Sequence, residues 1–322
     1  MNNTIIDVHH HILPDNYLDS LQRRGINKSF GVNFPKWSIN KALSLMDKNN
    51  IQIAFTSISA PGIYFGDIHF SISLAKTVNE FGAKLINQYP KRFGAFASLP
   101  LPDIDSSLSE IEYSLDVLKL DGIVLLTHYD KYYLGDSYYK EIYSELNKRN
   151  ASVFIHPDVP KGAESTNINV PAALFEVVHD TTRAAANLVY NGIIKKYPKI
   201  NFILSHAGGT IPYLAFRLSL PEYYFKGKII KNIRFPKGVI SYLKCFYYDT
   251  ALSASPYNFG SLMELVDESH VLFGSDNPFA NSLVIRKTIE GIENYSNFTD
   301  SGKKLIYHEN ALKLFSRLNG NS

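Results

Sequence analysis

Short apolar runs recur along the chain, and between them the apolar positions fall at helical rather than alternating spacing. The first run, Ile5-Ile6-Asp7-Val8, reads as a buried strand that breaks at Pro14. Residues 51–58, 92–98, 122–126, 153–155, 202–204, 244–248 and 271–273 supply seven more. Helical patterns cover about 38–49, 67–88, 105–118, 136–149, 171–196, 209–225, 256–268, 281–294 and 300–317, with Ser38 placed to cap the first. Strands alternating with helices imply a parallel sheet, and the number eight favours closure into an α/β (β/α)8 TIM barrel over an open doubly wound sheet. Residues 14–38 are too long for an ordinary strand-to-helix connection and read as an insertion at the strand end, where binding residues collect. With no internal repeat, linker or low-complexity tract, residues 1–322 read as a single domain.

Composition narrows this picture without changing it. A chain of 322 residues suits one barrel. The net charge of +3 is spread over scattered side chains, which speaks against a nucleic-acid partner. No stretch reaches the roughly 18 to 20 apolar residues that cross a bilayer, so no membrane partner is expected. The first strand begins without a basic segment and a long apolar run ahead of it, so no secretory signal is expected. The single cysteine, Cys245, excludes an internal disulfide; its apolar, aromatic surroundings predict a buried, inert thiol and suit a cytoplasmic protein. Tyrosine and phenylalanine are abundant at 21 and 20 residues, enough for a core, for a pocket that takes a planar ligand, and for a homodimer contact.

The chemistry sits where the apolar runs end. His9 and His11 lie two apart and share a face, while His10 points away. Val153-Phe154-Ile155 ends in His156-Pro157, Phe202-Ile203-Leu204 leads to His206-Ala207-Gly208-Gly209, and Val271-Leu272-Phe273 leads to Asp276-Asn277-Pro278. In a closed parallel barrel all of these fall at the carboxyl ends of the strands, where active sites lie. His9, His11, His156 and Asp276 together offer three imidazole nitrogens and one carboxylate. That set suits one divalent cation, Zn2+ first, with Mn2+, Fe2+ or Co2+ acceptable. His206 need not bind it, and its ordinary pKa near neutrality suits a general acid-base. Taken singly, each residue has a plain structural role, such as a hydrogen-bonded loop histidine or an Asp-Asn-Pro turn. Their joint occurrence at separate strand ends is what favours a metal site. Asp7 either anchors its loop or orients a metal-bound histidine from behind.

These motifs, with Asp7-Val8-His9-His10-His11, Ser59-Ala60-Pro61-Gly62, Arg92-Phe93-Gly94, Leu99-Pro100-Leu101-Pro102 and Asp180-Thr181-Thr182-Arg183-Ala184, resemble the amidohydrolase superfamily over nearly the whole chain. More narrowly they resemble its branch of aminocarboxymuconate-semialdehyde, γ-resorcylate and 6-methylsalicylate decarboxylases. The resemblance implies a TIM barrel with one cation on His9, His11, His156 and Asp276, and His206 as the catalytic histidine. Binuclear hydrolases of the superfamily carry a carboxylated lysine after strand four. Val124-Leu125-Leu126-Thr127-His128 has none, and His128 takes no role from the family pattern.

Two activities are compatible with this set. The first is decarboxylation, without an organic cofactor, of a small hydroxylated aromatic or muconate-like carboxylic acid, with a 6-methylsalicylate or salicylate-like substrate favoured. There the cation chelates the carboxylate and a neighbouring oxygen, and Asp276 or His206 protonates the carbon that bears the carboxylate. The second is hydrolysis of a lactone or amide by cation-activated water. A metal-dependent binding protein without turnover would have no use for His206 and Asp276. For the substrate pocket the loops offer Trp37, Tyr64, Phe65, Tyr129 and Phe279 to clamp a ring. Arg183 or Arg217 could meet a carboxylate.

Overall fold

In the computed structural model, which describes residues 4–160, 162, 169–224 and 235–318, eight strands pair in chain order. They are β1 (Ile5–His11), β2 (Ile51–Ser57), β3 (Phe93–Ser98), β4 (Gly122–Leu126), β5 (Ser152–His156), β6 (Asn201–Leu204), β7 (Tyr247–Asp249) and β8 (Val271–Leu272). Every neighbouring pair is parallel. The ring is closed by backbone bonds just beyond β8. Val8 N–H donates to the Phe273 carbonyl at 2.9 Å, Asp276 N–H to His9 at 2.8 Å and His11 N–H to Asn277 at 2.6 Å. The expected barrel is therefore present, with all the strand ends that carry chemistry on one rim.

The helices follow the expected positions, with breaks where the backbone demands them. Helix α1 (Asp15–Gln22) lies in the insertion, and α2 (Ile39–Lys48) begins at Ser38, whose hydroxyl accepts from Lys41 N–H. Next come α3 (Ile68–Gln88), α4 (Ile104–Glu112), α5 (Lys140–Lys148) and α6 (Ala172–Tyr190). The stretch expected as one helix to 196 is interrupted at Gly192, which takes φ 71°, before the short α7 (Ile193–Lys196). The expected 209–225 helix is split into α8 (Ile211–Ser219) and α9 (Pro221–Tyr224). A short α10 (Val239–Leu243) occupies the approach to β7, so that strand starts later than its apolar run suggested. The last helices are α11 (Pro256–Leu265), α12 (Ser282–Asn294), α13 (Asp300–Lys304) and α14 (Asn310–Leu314). Besides α1, the insertion holds a hairpin of Lys28–Ser29 and Val32–Asn33 that turns through Phe30 and Gly31, both at positive φ.

The barrel axis is filled by Ile6, Val8, Ile53, Phe55, Phe96, Val124, Phe154, Ile203 and Leu272. Phe315, just after α14, closes the amino-terminal end by stacking on Phe55 with centroids 3.9 Å apart. Arg317 clamps the same end through both oxygens of Asp121 and the carbonyls of Pro90 and Phe93. At the opposite rim the axis turns polar, and a bulge in β1 makes the switch. Asp7 pairs with Ala54 and His10 with Thr56, three steps on one strand against two on the other. The extra residue lets Val8 join the apolar core while His9 also turns into the barrel.

Cys245 is exposed, not buried as expected, because it sits in the turn between α10 and β7 instead of inside a strand. Among the described residues, no helix is long and apolar enough to cross a membrane. Phe315→Ala should destabilise the fold by about 3–5 kcal/mol in denaturant unfolding, from the cavity left beneath Phe55. Cation uptake by the folded protein should be unchanged, since the plug lies at the far end from the histidines.

Candidate metal centre and active site

His9 and His11 project from the bulged end of β1, His156 is the last residue of β5, and Asp276 follows β8. One ligand atom from each lies within 4.8 Å of the others, and all four side chains are buried. The Nε2 atoms of His9 and His11 are 3.0 Å apart, and each is close to Asp276 Oδ1, at 3.3 and 3.2 Å. Donor atoms around a cation with bonds of about 2.0–2.2 Å are separated by about this much, so the set fits a first-row divalent ion.

The far side of each ring is held. His9 Nδ1 donates to Asp249 Oδ2 at 2.7 Å and His156 Nδ1 to the Pro157 carbonyl at 2.8 Å, while His11 Nδ1 meets Ser57 Oγ at 3.1 Å. Carboxylate and carbonyl oxygens only accept, so His9 and His156 each carry a proton on Nδ1 and turn Nε2 to the common point, where a bound cation would take the place of any proton.

Asp276 and His206 both sit on left-handed backbone. Asp276 takes φ 59°, held by its bond to the His9 carbonyl and by Asp7, which accepts from Ser275 N–H at 2.9 Å and Ser275 Oγ–H at 2.6 Å. Asp7 also accepts from His9 N–H and His10 Nδ1, so it anchors the loop. The carboxylate on a ligand ring is Asp249. His206 and Ala207 both have φ 54°, and the two glycines that follow are also positive. A Cβ on Gly208 would come within 2.6 Å of the Tyr248 ring, and one on Gly209 within 2.0 Å of the Val178 carbonyl, which is why this turn ends in Gly-Gly. The tight turn places the buried His206 ring beside the ligands. Its Nε2 lies 3.7 Å from Asp276 Oδ2, and neither ring nitrogen has a hydrogen-bond partner.

Burial and charge act unequally on these groups. Burial disfavours a charged His9, but the Asp249 and Asp276 carboxylates outweigh it and raise its pKa to about 10. Burial lowers His11 to about 4, and it holds His156 well below its ordinary value, helped by the neighbouring histidines. Asp276 is held well below the usual carboxylate range: burial pushes it up, and the His9 charge with the close approach of the His11, His206 and His9 rings more than reverses that. The carboxylate of Asp276 and the neutral imidazoles of His11 and His156 are thus in the form that binds a cation.

A cavity of about 400 Å³ opens onto His156, His206 and Asp276. Its wall is largely apolar: Phe30, Val32 and Pro35 come from the insertion, Leu174 and Val177 from α6, and Phe279 from the loop after Asp276. Among the described residues no lysine or arginine lines it. Of the expected pocket side chains only Phe279 is in the wall, its ring 5.7 Å from that of His11. Trp37 packs on Phe81 and Phe65 on Phe70. Tyr129 is buried with its hydroxyl accepting from Leu126 N–H, and Tyr64 lies outside the wall. Arg183 is exposed opposite Asp180, and Arg217 is exposed on α8. His128 is bound to the Val159 carbonyl. The hairpin, not the aromatic residues flanking it, covers the mouth, and Gly31 was the signal for that turn. Asp249 ends an apolar run just as His156 does, and no motif around it in the sequence marks a chemical role.

Barrel, ligand set and rim position together define a cation-dependent enzyme site of a known kind. The model of the amidohydrolase family matches residues 6–317, and the chain belongs to that family. Over 98% of this chain and 97% of its own length, 6-methylsalicylic acid decarboxylase of Penicillium expansum is 35% identical. Decarboxylase yanB of Aspergillus niger is 37% identical over 97% of this chain and 87% of its own. Among solved structures, a dihydroxybenzoic acid decarboxylase from Polaromonas sp. with bound manganese and 2-nitroresorcinol superposes with a TM-score of 0.80. That structure covers 99% of this chain and 98% of its own at 22% identity, so it speaks for the fold.

His156→Ala should abolish both cation retention and turnover, whereas His206→Ala should keep the cation and lose turnover. Metal analysis of the purified variants beside an activity assay separates the two, and equal metal loss would make His206 a ligand.

Proposed function

We propose that this protein is a metal-dependent carboxy-lyase that removes CO2 non-oxidatively, without an organic cofactor, from a hydroxylated aromatic acid of the salicylate type. The observation that carries the reading is one buried arrangement: a three-nitrogen, one-carboxylate cation site, a partnerless imidazole beside it, and an apolar cavity over both. The family relatives that bear decarboxylase names support the same reading.

A divalent cation, with Zn2+ our first choice, would be held by His9, His11, His156 and Asp276 and would supply Lewis acidity for an acidic substrate. The rest of the work falls to the protein. With no cationic side chain in the described wall, the substrate carboxylate has its counter-charge only at the ligand end, which orients the acid toward His206 and Asp276. Phe30, Val177, Phe279 and Ala280 give the ring an apolar surround that favours the neutral product over the charged substrate. Asp276 turns Oδ1 to the histidine ligands and Oδ2 to His206, so the pair can hold a proton next to the reacting carbon. Delivery of that proton to the carbon bearing the carboxylate interrupts ring conjugation. The carbon–carbon bond then breaks, its electron pair returns to the ring, and CO2 leaves. One proton is consumed per turnover and is restored through His206.

Lactone or amide hydrolysis would use the same ligands, and the apolar wall gives it no specific support. The test is to incubate Zn2+-loaded protein with a panel of salicylates, resorcylates and simple lactones while CO2 and ring absorbance are followed. The expected outcome is one CO2 per acid consumed and, in deuterated water, one deuterium at the vacated ring carbon. Ring-opened acid from a lactone, with no CO2 from any aromatic acid, would overturn the reading.

A further inference from the structure

Asp249 touches both halves of the site. Its Oδ2 accepts the Nδ1 proton of His9 at 2.7 Å, and its Oδ1 accepts from the backbone N–H groups of His206 and Ala251, each at 2.9 Å. The side chain is completely buried at the end of β7, between the strand that carries His206 and the one that leads to Asp276. It cannot swing away. A Cβ on Gly274 would lie 3.1 Å from Asp249 Cγ and 2.9 Å from His9 Cβ, so only glycine leaves room for this pair.

We propose that Asp249 is a positioning residue that fixes the tautomer of His9, keeping its proton on Nδ1 and its Nε2 lone pair on the cation, while its other oxygen anchors the turn that carries His206. The inference rests on the cation site described above. Three donors converge on the two oxygens of Asp249. An acceptor-only side chain with two separate oxygens is what that pattern requires. Asparagine has the same shape but a different inventory. If its carbonyl oxygen keeps the two backbone N–H groups, its NH2 faces His9 Nδ1, which must then accept. The His9 proton is driven to Nε2, where it blocks the cation. The same logic makes an aspartate-to-asparagine change behind a catalytic histidine costly through the wrong tautomer.

The test compares Asp249→Asn with Asp249→Ala, reading Zn2+ affinity by competition with a chromophoric chelator and thermal stability by circular dichroism. The proposal expects Asp249→Asn to melt close to the wild type and to bind Zn2+ about 10–100-fold more weakly. Asp249→Ala should lose both stability and affinity. If Asp249 only braces the His206 turn, Asp249→Asn will bind Zn2+ like the wild type, and the proposal falls. A second measurement needs no variant. In the Zn2+-loaded wild type, long-range 1H–15N correlations should show His9 protonated on Nδ1, and a His9 protonated on Nε2 would overturn the assignment. Wild-type protein that binds no Zn2+ would instead overturn the cation site itself, and is distinguished by the first titration.

Discussion

The seam between β8 and β1 is the contact on which the site depends. Chain order brings β1 beside β2, but only ring closure brings the residues after β8 next to His9 and His11. Three backbone hydrogen bonds make that closure, and Asp7 reinforces it by gripping the Ser275 backbone and hydroxyl from β1. The Asp7 carboxyl is fully buried, and it is satisfied by N–H and O–H donors from both sides of the seam. A buried carboxylate so held stabilises one register of the seam, since a shift of one residue would leave it unpaired. Asp276 reaches the histidines because this register holds.

Irregular backbone is concentrated at the same rim. The bulge in β1 turns His9 into the barrel immediately after Val8, and the left-handed residues at Asp276 and from His206 to Gly209 aim their side chains across strand ends where a regular strand would not. Such conformations cost stability for residues other than glycine. They persist here because the surrounding bonds over-determine them: Asp249 holds the His206 amide, and the His9 carbonyl holds the Asp276 amide. The apolar core and the Phe55–Phe315 stack fill the barrel toward its opposite end.

Three of the buried carboxylates at the rim divide the electrostatic work around the ligands. Asp7 holds the seam, Asp249 holds the His9 ring, and Asp276 faces the ligand nitrogens and His206. Charge is thereby gathered at one end of a cavity whose described wall is otherwise uncharged apart from the site residues themselves. With a divalent cation held among His9, His11, His156 and Asp276, that end would attract an acidic head while the wall takes an apolar ring.

Much of this was legible in the residue order. The eight apolar runs specified the barrel, because a run of that length between amphipathic helices can only be buried in a parallel sheet. The ends of those runs marked His9, His11, His156, His206 and Asp276, because barrel strands present their carboxyl ends to one rim whatever the loops do. The cavity wall was not legible. Trp37, Tyr64, Phe65 and Tyr129 are as aromatic as Phe30 and Phe279, and nothing local distinguishes a ring that packs on a helix from one that faces a cavity. That choice was made by the hairpin folding over the rim and by α6 docking beside it. The role of Asp249 was equally hidden, since a carboxylate at a strand end acquires its meaning only from the two donors, on His9 and His206, that other strands bring to it. Periodicity is a property of the chain and survives in the sequence; partnership between side chains some 240 positions apart, as for His9 and Asp249, exists only once the barrel has closed.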